Sequence, residues 1–227
     1  MGTGARTRMD DATLLTLSQM LSAAFPVGAF SYSHGLEQVI GQDAPLDAAG
    51  LQDWVGGVLE FGAPRNDVLL LLAAFRARSD GEVRAVNDLA LALACSAERH
   101  EETQALGAAF SRTARQVWGV KIPASAVSGL VYPVAVGRAA RLLNLPERAV
   151  AALFLQGVVA NLVLIGVRLV PLGQGEGQQI LARLSTMIGQ MLPDLLRADL
   201  GQIGGCALLS DMAAMRHETM TERIFRT

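Results

Sequence analysis

Leucines and other apolar residues recur every three or four positions through most of this chain, and strict alternation is sustained nowhere. The first period marks helices with one buried face; the second would have marked strands. Leu14, Leu17, Leu21 and Phe25 form the first such row, with Asp10 or Asp11 placed to cap it and Pro26 to stop it. A short second helix is predicted from about Tyr32 to Gly41. Pro45 and Asp47 start a third, carrying Leu51, Trp54, Val55, Val58 and Leu59, and Gly62-Ala63-Pro64 breaks it. Residues 67–78 make a fourth, and Ser79-Asp80-Gly81 a turn. A helix rich in Ala and Leu follows over 82–97. The polar run Glu98-Arg99-His100-Glu101-Glu102 reads as the solvated face of a helix reaching Trp118. Residues 119–129 hold Pro123 and several small polar residues, and read as a mobile loop. Further helices are expected over 133–144 and from Pro146 to the glycines at 173–177. Ile180, Leu184, Met187, Met191 and Leu195 then make an apolar seam, and a short last helix covers 208–215. The fold class is therefore all-α: one helical bundle of roughly eight to ten helices over 11–227. It is preceded by a disordered segment over 1–10 and ends in a flexible tail over about 217–227.

Composition narrows the partners more than the fold. A chain of 227 residues suits one domain or at most two. Half of it is hydrophobic but only 5% aromatic, so Leu, Ala and Val must fill the core. The net charge of -2 gives no electrostatic reason to expect nucleic acid or an anionic membrane. Cys95 and Cys206 are too few and too far apart for a disulfide framework, which points to the cytosol. The start, Met1 to Arg8, has two arginines but no apolar core after them, so it does not read as a signal peptide. The run over 149–170 is apolar enough to suggest a membrane span, but Gln156, Asn161 and Arg168 interrupt it. It reads as a helix buried in a soluble bundle. An unpaired polar group there costs about 1–3 kcal/mol, so Asn161 is expected to tie two helices together and Arg168 to emerge at the helix end. The alternative is that both line an internal polar passage.

No motif of catalysis or cofactor binding survives inspection. Gly173-x-Gly175-x-Gly177 lacks the Lys and Ser/Thr of a phosphate loop and follows a helix. His34, His100 and His217 are the only histidines, and neither CxxC nor HExxH is present. A metal site would need long-range convergence, with His217 and Cys206 as weak candidates. No Gly-x-Ser-x-Gly elbow anchors a triad. The alternative from the enzyme class is a helical metal-dependent hydrolase built on His34, His100 and Glu101.

Special residues concentrate in two places. Phe25-Pro26-Val27-Gly28-Ala29-Phe30-Ser31-Tyr32-Ser33-His34-Gly35-Leu36-Glu37 combines a proline, two glycines, capping serines and two aromatics, Phe30 and Tyr32, that need a surface to bury against. It reads as a helix-turn-helix corner fit for recognition. The ending, Glu218 to Thr227, sets Ile224 and Phe225 between Arg223 and Arg226, a composition suited to ordering on binding.

The stretch from Leu21 to Glu37 resembles the N-terminal signature of the urease accessory protein family UreF. Asn161-Leu162-Val163 with Arg168-Leu169-Val170-Pro171-Leu172-Gly173-Gln174, and the ending His217-Glu218-Thr219 to Arg223-Ile224-Phe225-Arg226, resemble it in the same order. The resemblance runs from about Leu14 to Thr227 and leaves out the residues before Asp10. It implies an all-helical, homodimeric, cytoplasmic and non-catalytic protein without a cofactor. Such proteins bind UreD (UreH in some lineages) and recruit the GTPase UreG, so that nickel reaches the urease apoprotein. It further implies that the tail binds UreD and is ordered there, through Arg223 with Phe225 and Arg226. Phe30, Tyr32 and Glu37 are carried over as partner-facing or corner-forming positions. The family's likeness to GTPase-activating proteins implies regulation of the partner GTPase, for which no residue is assigned.

Overall fold

Polar caps set where the helices begin. The structure, a computed structural model, describes residues 9–42, 46–122 and 129–226. Asp10 accepts from the Thr13 amide at 2.7 Å and opens α1 (Asp11–Met20). Asp47, Ser79 and Ser96 do the same, at 2.8, 3.2 and 3.1 Å, for α3 (Ala48–Phe61), α5 (Asp80–Ala92) and α6 (Ala97–Trp118). Each cap satisfies an amide that the first turn leaves without a helical partner. The remaining helices are α2 (Leu36–Gln42), α4 (Ala63–Arg76), α7 (Tyr132–Leu142), α8 (Glu147–Leu169), α9 (Gln174–Arg197) and α10 (Leu208–His217). With two short 3-10 turns they make an all-α arrangement, and no strand occurs among the described residues.

Three boundaries differ from the sequence reading, each for a local reason. The first helix stops at Met20, well before Pro26, and the chain turns there so that Phe25 enters the core alone. Its ring stacks on Trp118 and packs on Phe110, with centroids 5.7 and 5.4 Å away. The break at Gly62-Ala63-Pro64 costs no loop, because Pro64 lies in the first turn of α4, where no amide is needed. One helix does not run through to Ala97; α5 ends at Ala92 and Ser96 begins a new one. The seam of α9 also shifts: its buried row is Ile180, Leu184, Ile188, Leu192 and Leu195, with Met187 and Met191 only half-buried, and the helix continues through Pro193. Residues 1–8, and 123–128 of the segment expected to be mobile, lie outside the described residues.

Two helix crossings are tight enough to need glycine. A Cβ on Gly137 of α7 would lie 2.1 Å from the Leu71 carbonyl oxygen of α4. On the other side, a Cβ on Gly107 of α6 would lie 2.1 Å from the Leu130 carbonyl. Thus α7 meets α4, and the segment that enters α7 over 130–132 meets α6, with backbone against backbone. Against this layer lies α8, which buries Val150, Phe154, Leu155, Val159, Leu162 and Ile165 and packs along α9. Among the described residues it is the one helix long and apolar enough to cross a membrane, and its apolar side is used here to fill the core.

Candidate functional site

The corner is held in a shape that few residues adopt. Gly28, His34 and Gly35 all have positive φ (84°, 53° and 78°), the left-handed region that a Cβ resists. Gly35 is constrained twice, because a Cβ there would also lie 2.8 Å from Ala213 Cβ and from the Ala214 amide nitrogen of α10. From α8, the Asn161 amide donates to the Ala29 carbonyl at 3.0 Å and to the Tyr32 carbonyl at 3.4 Å. Asn161 therefore ties a helix to the corner rather than one helix to another. Arg168 is exposed near the end of α8, as expected.

The corner and the tail meet. Glu37, buried at the start of α2, accepts from the Ile224 amide at 2.7 Å and from the Phe225 amide at 2.9 Å. The Arg226 amide donates to the Ser31 carbonyl at 2.7 Å, and the Phe225 side chain is buried. Arg223 reaches Glu98 on α6 at 2.6 Å, and Glu218 accepts from the Ala97 amide at 2.9 Å. His217 sits fully buried between Glu98 and Glu37. Of the carried-over positions, Glu37, Arg223, Phe225 and Arg226 thus form one assembly. Tyr32 is buried beneath it, and Phe30 is 62% exposed beside it. Ser33 accepts from the Glu37 amide at 3.4 Å, which leaves the Glu37 carboxylate free to turn toward the tail.

Several participants escaped the sequence reading. The run from Glu98 to Glu102 is not a solvated face. Glu101 is exposed, but the side chains of Glu98, Arg99 and Glu102 are mostly buried. The signal was present: Glu102, Leu106 and Phe110 continue one inward row of α6, and Glu98 stands one turn before it. His217 and Cys206, the weak metal candidates, each have other partners. Both ring nitrogens of His217 face glutamates, and the Cys206 thiol donates to Asp211 at 3.4 Å. His34 pairs with Glu102 at 3.3 Å, while Glu101 points to solvent, so the proposed hydrolase set is not brought together. Among the described residues no group of His, Cys, Asp and Glu side chains is arranged to hold a metal ion.

Behind the corner lies a cleft of about 590 Å³ whose floor carries Asp67, Arg99, Glu102 and His34. Arg99 bonds to Asp67 of α4 through one guanidinium nitrogen and to Glu102 at 2.9 Å through another. Burial drives the Glu102 carboxyl upward, but Arg99 and then His34 outweigh it and bring it down to about 2. Asp67 moves the other way, because burial outweighs Arg99 there. Tyr132, also on the cleft, is pushed up to about 12 by burial and by the Asp67 charge. A carboxylate whose folded value is depressed stabilises the fold above its ordinary value and loses that contribution as pH falls toward the folded one. For Glu102 that window runs from 4.5 down to about 2. The stability difference between the wild type and Glu102→Gln is expected to be largest above pH 4.5 and to vanish as pH 2 is approached. Urea denaturation at stepped pH reads it; a difference that is constant with pH would contradict the assignment.

Comparison with known proteins agrees with the resemblance in the motifs. The UreF family profile matches residues 46–185. A urease accessory protein UreF of Cereibacter sphaeroides is 48% identical over 216 residues, covering 95% of this chain and 99% of that protein. Those of Ruegeria pomeroyi and Roseobacter denitrificans are 45% and 43% identical, over 94% and 98% of this chain and 96% and 98% of their own. The corner and the tail flank the profile's span, and the full-length relatives extend over them; the chain belongs to the UreF family of urease accessory proteins.

Proposed function

We propose that this chain is a non-catalytic scaffold of urease maturation. It binds UreD (UreH), recruits the GTPase UreG, and acts as a cytoplasmic homodimer through which nickel is passed on to the urease apoprotein. The observation that carries this reading is the joining of corner and tail beside an unpartnered apolar row. Leu208, Leu209, Met212 and Met215 of α10 are exposed and recur at helical spacing, and Ile224 of the docked tail is 78% exposed. Exposed apolar groups grouped in this way suit a protein partner better than a solute. The tail enters that surface already positioned by Glu37 and Glu98, so little ordering cost remains for binding. Arg223 is engaged by Glu98 and would have to leave it before reaching a phosphate, so we assign no residue to GTPase regulation. The cleft behind the corner, lined by Asn161, Gln156 and the charged floor, supports the further reading that nickel travels through this protein as cargo.

Size-exclusion chromatography of the purified chain with UreD and UreG tests the proposal. The full-length protein is expected to co-elute with both. Deletion of the final ten residues is expected to abolish the UreD complex at micromolar concentrations, and Leu209→Asp to weaken it about tenfold or more. A full-length chain that forms no complex would refute the scaffold, whereas an unaffected truncation would refute only the part given to the tail.

A further inference from the structure

Each ring nitrogen of the fully buried His217 faces a carboxylate. Nδ1 lies 3.0 Å from Glu98 Oε2, and Nε2 lies 3.2 Å from Glu37 Oε2. A neutral imidazole carries one N–H and one bare lone pair. A neutral ring would therefore set a nitrogen lone pair against a carboxylate oxygen, with the ring itself fully buried. Both contacts become hydrogen bonds only when a second proton is present. An imidazole is a stronger base than a carboxylate, so the second proton belongs on the ring.

The charges agree with the proton count. Glu37 from α2 and Glu98 from α6 bring two negative charges, and Arg223 from the tail brings one positive charge. Glu218, the next residue of His217's own segment, is turned to the Ala97 amide. With an imidazolium the four groups sum to zero; with a neutral ring they leave one negative charge uncompensated in a mostly buried site. The same Glu37 that meets the ring also holds the Ile224 and Phe225 amides. Lifting the tail is the most direct way to return that carboxylate to water.

We propose that docking of the tail over 218–226 is coupled to the binding of one proton by His217, which makes the segment a proton-linked clasp. The inference concerns the free chain and does not depend on which partner binds. A docked state holding one proton more than the released state loses up to tenfold in its docking equilibrium for each unit of rising pH over which that difference persists. Glu98→Gln should remove the coupling. Its amide group can donate to a neutral Nδ1 while its carbonyl oxygen still accepts from Arg223.

Nitrogen-15 spectra of the histidine rings in the full chain test this at pH 7.5, with three rings to distinguish. His217 is expected to show two protonated nitrogens in the wild type. In Glu98→Gln it is expected to show one, with the Ile224 and Phe225 amides rigid in both proteins. As pH rises, tail rigidity in the wild type should fall together with the doubly protonated signal, and in the variant it should stay flat. A singly protonated His217 in the wild type with the tail still docked would overturn the proposal, as would equal pH dependence in the two proteins. The wild-type measurement needs no variant and stands if Glu98→Gln does not fold.

Discussion

Replacing Arg99 with methionine is expected to lower the unfolding free energy by about 3–5 kcal/mol, the range for breaking a buried ion pair from one side. Arg99 is the cation between Asp67 and Glu102, and all three side chains are mostly buried. Methionine fills a similar volume but leaves Asp67 without its guanidinium and Glu102 with His34 alone. Total stabilities of domains are about 5–15 kcal/mol, so this one change removes a large share. The deficit should shrink as pH falls, since protonation neutralises the carboxylates left behind. A triple variant that adds Asp67→Asn and Glu102→Gln should recover much of the loss, because neutral groups no longer demand a charge partner. Urea denaturation of the three proteins at pH 7 and pH 5 checks the sequence of effects. A loss below about 1 kcal/mol for Arg99→Met would mean that the charges are solvated and the burial argument fails.

The second large effect is steric. Gly137→Ala is expected to destabilise by about 3 kcal/mol, at the upper end for overpacking a core. The added methyl would stand 2.1 Å from the Leu71 carbonyl oxygen, and neither backbone has a flexible end that could yield. The intrinsic preference of helices for alanine over glycine, about 1 kcal/mol, works against the loss and is too small to cancel it. Gly57→Ala in α3 is the matched control. No atom lies within 4 Å of its added Cβ, so only the propensity term remains and a gain of up to about 1 kcal/mol is expected. Thermal melts of both variants separate the terms. A Gly137→Ala protein as stable as the wild type would show that α4 and α7 can part at no cost.

The extent to which the chain could be read beforehand follows from how local each signal is. Caps and apolar rows are decided within one or two turns, so the all-α class and the starts of α1 and α3 were legible from Asp10, Asp47 and the leucines after them. Ends were less so. The stop at Met20 is set by where Phe25 finds Phe110 and Trp118, residues about ninety positions away. The same holds for the site. Glu37, Arg223, Phe225 and Arg226 could be singled out by type and motif, but that Glu37 receives the tail depends on the return of α10 to α2. Glu98, Arg99 and Glu102 were misread because charge density outweighed their periodicity. A buried ion network looks like a surface in composition, and only its spacing reveals it.

Gly35 has one more consequence, and it concerns synthesis. Its missing side chain leaves room for Ala213 and Ala214, and Glu37 two residues on waits for Ile224 and Phe225, some 187 positions later in the chain. An emerging polypeptide can wind most of its helices while this notch near its start still gapes. The Gly35 side closes once α10 has been made, but Glu37 meets the Ile224 and Phe225 amides only after the ribosome has passed residue 225, so a product shortened before residue 224 would lack those bonds and would present a different face from the finished molecule.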